Sequence, residues 1–177
     1  AQDTPLRTAE EALEGADLFL GVSGPGLLTA EMVSKMAKSP IIFALANPTP
    51  EIMPDEARRG APDALIATGR SDFPNQVNNV LCFPFIFRGA LDVGATEIND
   101  AMKIACVEAI AELARRTASA ELGQAYQGER LAFGPEYLIP KPFDPRLLPT
   151  IALAVAKAAM DSGVATRPVD LDAYEKS

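Results

Sequence analysis

Three short apolar runs, each shut off by glycine, serine or asparagine and separated by stretches of helical character, leave this chain little freedom in what it can fold into. The first is 16–24 (Ala-Asp-Leu-Phe-Leu-Gly-Val-Ser-Gly), the second Ile41–Ala46 and the third Ala64–Thr68. Continuous apolar runs of this length are the form of parallel strands buried on both faces. Between the first two, Thr29 is placed to cap a helix with Glu31 in its positive first turn and Met32, Val33 and Met36 as its apolar stripe, stopping at Ser39-Pro40. Between the second and third, Pro54–Arg59 predicts a brief helix ended by Gly60. A polar, helix-like segment, Pro5–Gly15, precedes the first strand, with Glu10, Glu11 and Glu14 on a solvated side. Strand, helix, strand, helix, strand is the rhythm of a parallel sheet with right-handed crossovers.

Beyond Leu81 the pattern turns helical. The segment 83–91 is apolar enough for burial, and Pro84 suits a first helical turn. Thr96 is the expected N-cap of a long amphipathic helix reaching about Arg116, with Ile98, Met102, Ala105, Ala109 and Leu113 on one face and Glu97, Lys103, Glu108 and Glu112 outward. After a loop rich in glycine and aromatic residues, Asp144-Pro145 opens a final apolar helix, Leu147–Met160, closed by Gly163. The expected fold class is therefore α/β, the second half of a Rossmann-like doubly wound parallel sheet followed by C-terminal helices. One domain is expected over 1–164, with 165–177 as a polar extended tail or linker.

Composition removes whole classes of function. With 177 residues, 48% of them hydrophobic, the chain can bury one core. A formal charge of −8 without a basic cluster argues against a nucleic-acid partner, whose phosphates are held by grouped Lys and Arg. Histidine is absent and Cys82 and Cys106 are the only cysteines, so two reduced thiols are expected, with neither a disulfide framework nor a zinc site. No apolar stretch approaches the ~20 residues that span a bilayer, so no membrane partner is expected. The start, Ala-Gln-Asp-Thr-Pro, lacks the layout of a signal peptide, and a soluble cytoplasmic protein is expected.

Candidate ligand contacts cluster just past the strands, where an open α/β sheet presents its ligands. Asn47 closes the second run and is followed by Pro48, which restrains the backbone before it; Asn78 and Asn79 lie in Pro-Asn-Gln-Val-Asn-Asn-Val-Leu at 74–81. Asparagine donates and accepts at once without changing protonation state, which suits gripping carboxylates and amides; a turn or cap role is the alternative for each. The glycines of Gly-Val-Ser-Gly-Pro-Gly at 21–26 match neither the Rossmann fingerprint nor the Walker motif. That stretch reads instead as a strand-to-helix turn passing near a cofactor, with Ser23 a supporting contact. Arg70 can meet an anionic ligand or pair with Asp72. No catalytic acid, base or metal ligand is evident.

Four ordered motifs carry a family resemblance: Gly-Val-Ser-Gly-Pro-Gly at 21–26, Phe-Ala-Leu-Ala-Asn-Pro-Thr-Pro-Glu-Ile at 43–52, Ala-Thr-Gly-Arg-Ser-Asp at 67–72, and Pro-Asn-Gln-Val-Asn-Asn-Val-Leu-Cys-Phe-Pro at 74–84. Together they resemble the malic enzymes, in particular bacterial forms that often continue into a phosphotransacetylase-like region. The resemblance implies oxidative decarboxylation of (S)-malate to pyruvate and carbon dioxide, with NAD or NADP as hydride acceptor and Mg or Mn as Lewis acid. It places Asn47 at the nicotinamide and substrate, Asn78 and Asn79 at the malate carboxylate with Asn79 preferred, and Ser23 at the cofactor-side strand exit. The family's Tyr acid, Lys base, metal carboxylates and Gly-rich phosphate turn all lie upstream of the matched region, and none maps onto Tyr126, Tyr137 or a lysine here. The implied partners are the remainder of a malic enzyme chain and further copies in a homo-oligomer; alone, the chain is expected not to turn over malate. A non-catalytic α/β interaction module and a different Rossmann-type dehydrogenase are the alternatives.

Overall fold

The computed structural model describes residues 3–118, 120–126, 129 and 131–174. Where the sequence pattern predicts one domain over 1–164, the chain groups into two compact units, Ala1–Val77 and Asn78–Ser177.

The first unit is a three-stranded parallel sheet, β1 (Leu18–Gly21), β2 (Ile41–Ala44) and β3 (Leu65–Thr68), in the order β1-β2-β3. Leu18 stands beside Ile41 and Ile41 beside Leu65, a register that carries through to Gly21, Ala44 and Thr68. Ahead of β1, α1 (Ala9–Leu13) is shorter than the expected 5–15, and a reciprocal capping box between Thr8 and Glu11 fixes its start. The connections carry α2 (Ala30–Ser34) and α3 (Pro54–Gly60). Thr29 caps α2 as expected, accepting from the Met32 amide at 3.2 Å, and Pro54 opens α3. Val33, Met36, Ile52 and Ala57 on these connections pack with Ile42, Ala44 and Ile66 to form the unit's core. The outer strand departs from expectation. Leu18, Leu20 and Val22 remain 52, 60 and 78% exposed, so β1 is buried on one face and bare on the other.

The second unit is helical: α4 (Phe83–Asp92), α5 (Asp100–Arg115), α6 (Ala120–Ala125), α7 (Leu147–Asp161) and α8 (Leu171–Tyr174). Its core joins Ile86 and Ala90 of α4, Met102, Cys106 and Leu113 of α5, and Ile151, Val155 and Ala159 of α7. The buried face of α5 is close to the expected one, but Asn99, not Thr96, caps it: Asn99 Oδ1 accepts from the Met102 amide at 3.1 Å. Thr96 is engaged elsewhere, its amide donating to the Val164 carbonyl at 3.0 Å. At the other end, Asp144 is buried and its carboxylate is gripped by the Arg146 guanidinium, 2.7 Å from Nη2, just before α7 begins.

Residues 165–174 do not form an extended tail. Ala165 bridges Ala95 in antiparallel fashion, the Arg167 amide donates to the Val93 carbonyl at 2.9 Å, and the Tyr174 hydroxyl donates to Asp92 at 2.6 Å. Gly94, at φ +60°, lets the backbone pass close to this strap, since a Cβ there would lie 2.5 Å from Thr166 Oγ1. Burial and the Asp92 carboxylate push the Tyr174 pKa up to about 12, so the hydroxyl stays a donor across the neutral range. The expected tail residues 175–177 and the opening Ala1-Gln2 lie outside the described residues.

Candidate functional site

The carboxyl ends of β1 and β2 are fastened together by a side chain that local sequence signals do not single out. Glu51 is completely buried, and its carboxylate accepts from the Ser23 amide (2.8 Å), the Ser23 hydroxyl (3.1 Å) and the Ala46 amide (3.1 Å). One carboxylate thus ties the residues just past two neighbouring strands, reinforcing the bond from the Leu45 amide to the Gly21 carbonyl at 2.9 Å. Gly21 is required beside it, because a Cβ there would sit 2.5 Å from Glu51 Cδ. Desolvation raises the Glu51 pKa, but the donors from Ser23, Ala46 and its own backbone outweigh it and hold the group below its ordinary 4.5. A group whose folded pKa is depressed contributes stability that is present above the unfolded value and lost as pH falls through the folded one. The Glu51 contribution is therefore expected to be complete above pH 4.5 and to disappear at lower pH. A carbon-13 NMR titration of its carboxyl carbon checks this, with a midpoint below 4.5 expected.

Ser23 and Asn47 are the predicted ligand contacts at these two exits, and both are exposed. The Ser23 hydroxyl is held by Glu51, so its first role is to fix the β1 exit. Asn47 follows the anchored Ala46 and precedes a cis peptide to Pro48; among the described residues its side chain enters no hydrogen bond. The turn or cap alternative thus finds no partner for it there. Nearby in the chain, Gly26 has φ +73° and a Cβ at Gly24 would meet nothing within 4 Å, so the loop after β1 presents bare backbone.

Past β3, Arg70 is paired with Asp72, Nε to Oδ1 at 2.8 Å and Nη2 to Oδ2 at 2.6 Å, and its guanidinium lies 5.5 Å from the Phe73 ring centre. Of the two possibilities open for Arg70, the internal pair is the one formed. Asn75, which the sequence does not distinguish from the later asparagines, is the buried one: at φ +57°, it donates from Nδ2 to the Ile66 carbonyl at 2.9 Å. With the Val77 amide donating to the Thr68 carbonyl at 2.8 Å, it lays Gln76 alongside the end of β3.

Asn78 and Asn79 belong to the second unit. Asn78 is half-buried and caps a 3-10 turn, Asn79–Leu81, accepting from the Val80 amide at 3.1 Å, so the cap alternative holds for its oxygen. Asn79 opens that turn, is exposed, and engages through its backbone carbonyl with the Cys82 amide at 3.0 Å. Among the described residues no group of three or more His, Cys, Asp or Glu is placed to hold a metal ion, and no helix is long and apolar enough to cross a membrane.

Parallel strands crossed by helices, with glycine-bearing and amide-bearing exits at their carboxyl ends, define a Rossmann-like α/β domain. Comparison with known proteins narrows this. The family described as malic enzyme, NAD binding domain, matches residues 10–126. Over 173 residues the chain is 67% identical to the NADP-dependent malic enzyme of Salmonella typhimurium, covering 97% of this chain and 23% of that protein. Over 175 residues it is 62% identical to the NAD-dependent malic enzyme of Rhizobium meliloti, covering 98% of this chain and 23% of that protein. The crystal structure of a malic enzyme from Pyrococcus horikoshii is similar with a TM-score of 0.79 at 41% identity, covering 94% of this chain and 35% of that one. The chain belongs to the malic enzyme NAD-binding domain family, and it spans about a quarter of the length of these curated relatives.

Proposed function

We propose that this chain contributes the later half of the cofactor domain, residues 1–164, to a malic enzyme that converts (S)-malate to pyruvate and carbon dioxide with NAD or NADP. The single observation that carries the reading is the uncommitted amide of Asn47 at the exit of β2, next to a β1 exit fixed by Glu51. The dinucleotide, when bound, accepts the hydride from malate C2. Asn47 hydrogen-bonds at the nicotinamide and substrate, using donor and acceptor together. Asn78, whose oxygen is committed to the cap, offers its Nδ2 donors to a malate carboxylate, and Asn79 offers its whole amide. Ser23 and the open glycine backbone at 24 and 26 line the cofactor side. Glu51 holds its position without touching ligand, and a buried carboxylate supplied with donors stays ionised and still.

The described residues offer no group that fits Mg or Mn, so the rest of the enzyme chain would supply its ligands. The same remainder is the partner for the bare face of β1, since a parallel strand is ordinarily covered on both sides. Relatives named for NAD and for NADP match at 62 and 67% identity, which fits a choice of nucleotide made by residues elsewhere. A homo-oligomer in the cytoplasm completes the reading.

In the full-length parent enzyme, Asn79→Ala is expected to raise the malate KM roughly tenfold, the equivalent of one lost amide contact at about 1.5 kcal/mol, and to leave the cofactor KM within about twofold. Steady-state kinetics with each substrate varied in turn checks it. Equal rises in both constants would move Asn79 out of the substrate site.

A further inference from the structure

The two cysteines, expected as reduced thiols, are neighbours. Cys82 Sγ and Cys106 Sγ lie 3.4 Å apart, the first at the N-cap of α4 and the second inside α5. Cys106 is 1% exposed, whereas Cys82 is only part-buried and is the more accessible residue of the two. A disulfide holds its sulfurs about 2.05 Å apart, so closure from 3.4 Å needs a shift of roughly 1.4 Å (3.4 minus 2.05), within the range of side-chain rotation. The two partners differ in freedom. Cys106 belongs to a 16-residue helix, while Cys82 occupies the joint between the 3-10 turn and α4, with φ −119° and ψ −58° and no side-chain cap bond to hold it.

We propose that Cys82 and Cys106 are a reversible dithiol–disulfide pair, a modification site closed by a peroxide and reopened by a thiol reductant. The Cys82 thiolate attacks one oxygen of hydrogen peroxide and the O–O bond breaks. Hydroxide leaves and takes up the proton that Cys82 released, giving water and a Cys82 sulfenic acid. Cys106 Sγ then attacks Cys82 Sγ and the S–O bond breaks. The departing hydroxide takes the Cys106 proton as a second water, so that two thiols lose two electrons and the peroxide gains two. Burial sets the order. Desolvation first, then the hydrogen bond and charge of Cys82, push the Cys106 thiol up to about 12, which keeps it protonated and unreactive toward peroxide. The second and third of these causes are relieved once Cys82 has become an uncharged sulfenic acid, which readies Cys106 to resolve it.

Closure would fasten α5 to the turn that carries Asn79, because the Cys82 amide donates to the Asn79 carbonyl at 3.0 Å. The thiol chemistry itself does not depend on what Asn79 binds. The test treats the native protein with a small excess of hydrogen peroxide, quenches, and counts thiols in denaturant. The expected results are a fall from two titratable thiols to none, a monomer lighter by two hydrogen atoms, and one peptide joining Cys82 to Cys106 that dithiothreitol separates. In Cys106→Ser, peroxide is expected to leave a dimedone-reactive sulfenic acid at Cys82; in Cys82→Ser, Cys106 is expected to remain a thiol. Two surviving thiols in the wild-type protein, a Cys82 sulfinic acid beside a reduced Cys106, or disulfides only between chains would each overturn the proposal, and the wild-type measurement decides even if a variant fails to fold.

Discussion

Replacing Glu51 with Ala is expected to destabilise the protein by about 2–4 kcal/mol, a large share of the stability of any small domain. The substitution strands the buried Ala46 N–H at about 1–3 kcal/mol, leaves the part-buried Ser23 N–H without its acceptor, and adds a cavity. Relief of the desolvation of a buried carboxylate works in the other direction. The donors that hold the Glu51 pKa below its ordinary value favour the ionised carboxylate, and it is their stranding that sets the direction of the change. Glu51→Gln keeps the shape but only one acceptor oxygen, and should fall between wild type and Ala. The chain has no tryptophan, so urea unfolding followed by far-UV circular dichroism is the suitable assay. Glu10→Ala, which breaks only an exposed contact to Lys35, should change stability by no more than about 0.5 kcal/mol.

Gly89→Ala is expected to cost about 2 kcal/mol although it replaces a helical glycine with the strongest helix former. Propensity alone predicts a gain of about 1 kcal/mol. Against it, a Cβ at 89 would lie 2.5 Å from the Ala152 carbonyl oxygen and 2.9 Å from Val155 Cβ, so α4 and α7 must separate along their packed seam. Overpacking of this kind costs up to about 3 kcal/mol, and more readily so when the obstructing atom is backbone and cannot rotate away. The steric effect therefore wins. Gly123, with open space around its Cβ position, is the control: Ala there should be neutral or stabilising. A stabilised Gly89→Ala protein would mean that α4 and α7 are not pressed together as described.

These two sites also mark where sequence reasoning stops. The three strands lie within their predicted apolar runs, and Thr29, Pro54 and the apolar face of Leu147–Asp161 do what local rules ask of them, because a cap or a periodicity is written within a few residues. Glu51 was not legible in the same way. Its partner Ser23 is 28 positions away, and nothing about a glutamate after Thr-Pro announces burial, although its position between two buried residues, Pro50 and Ile52, is a signal that could have been used. The strap at 165–174 is hidden for the same reason: its Thr166 hydroxyl donates to the Gly94 carbonyl 72 positions earlier, so a polar segment that looks like a tail has a surface to lie on. Thr96 is the cap that sequence suggests, and the role goes instead to Asn99, whose Nδ2 also reaches Ser162 Oγ at 2.9 Å. Among the candidate contacts, the motif spacing pointed to Asn47, Asn78 and Asn79, while the conformation separates them by commitment. Asn78 caps a turn, Asn75 is spent on β3, and Asn47 and Asn79 stand exposed.

The most direct measurement is a crystal structure of the full-length parent enzyme with reduced dinucleotide and a malate analogue bound. The Asn47 amide is expected within hydrogen-bond distance of the nicotinamide or the analogue, and the Asn79 amide on an analogue carboxylate. An analogue bound with both side chains out of reach, or a nicotinamide seated away from the exits of β1 and β2, would contradict it.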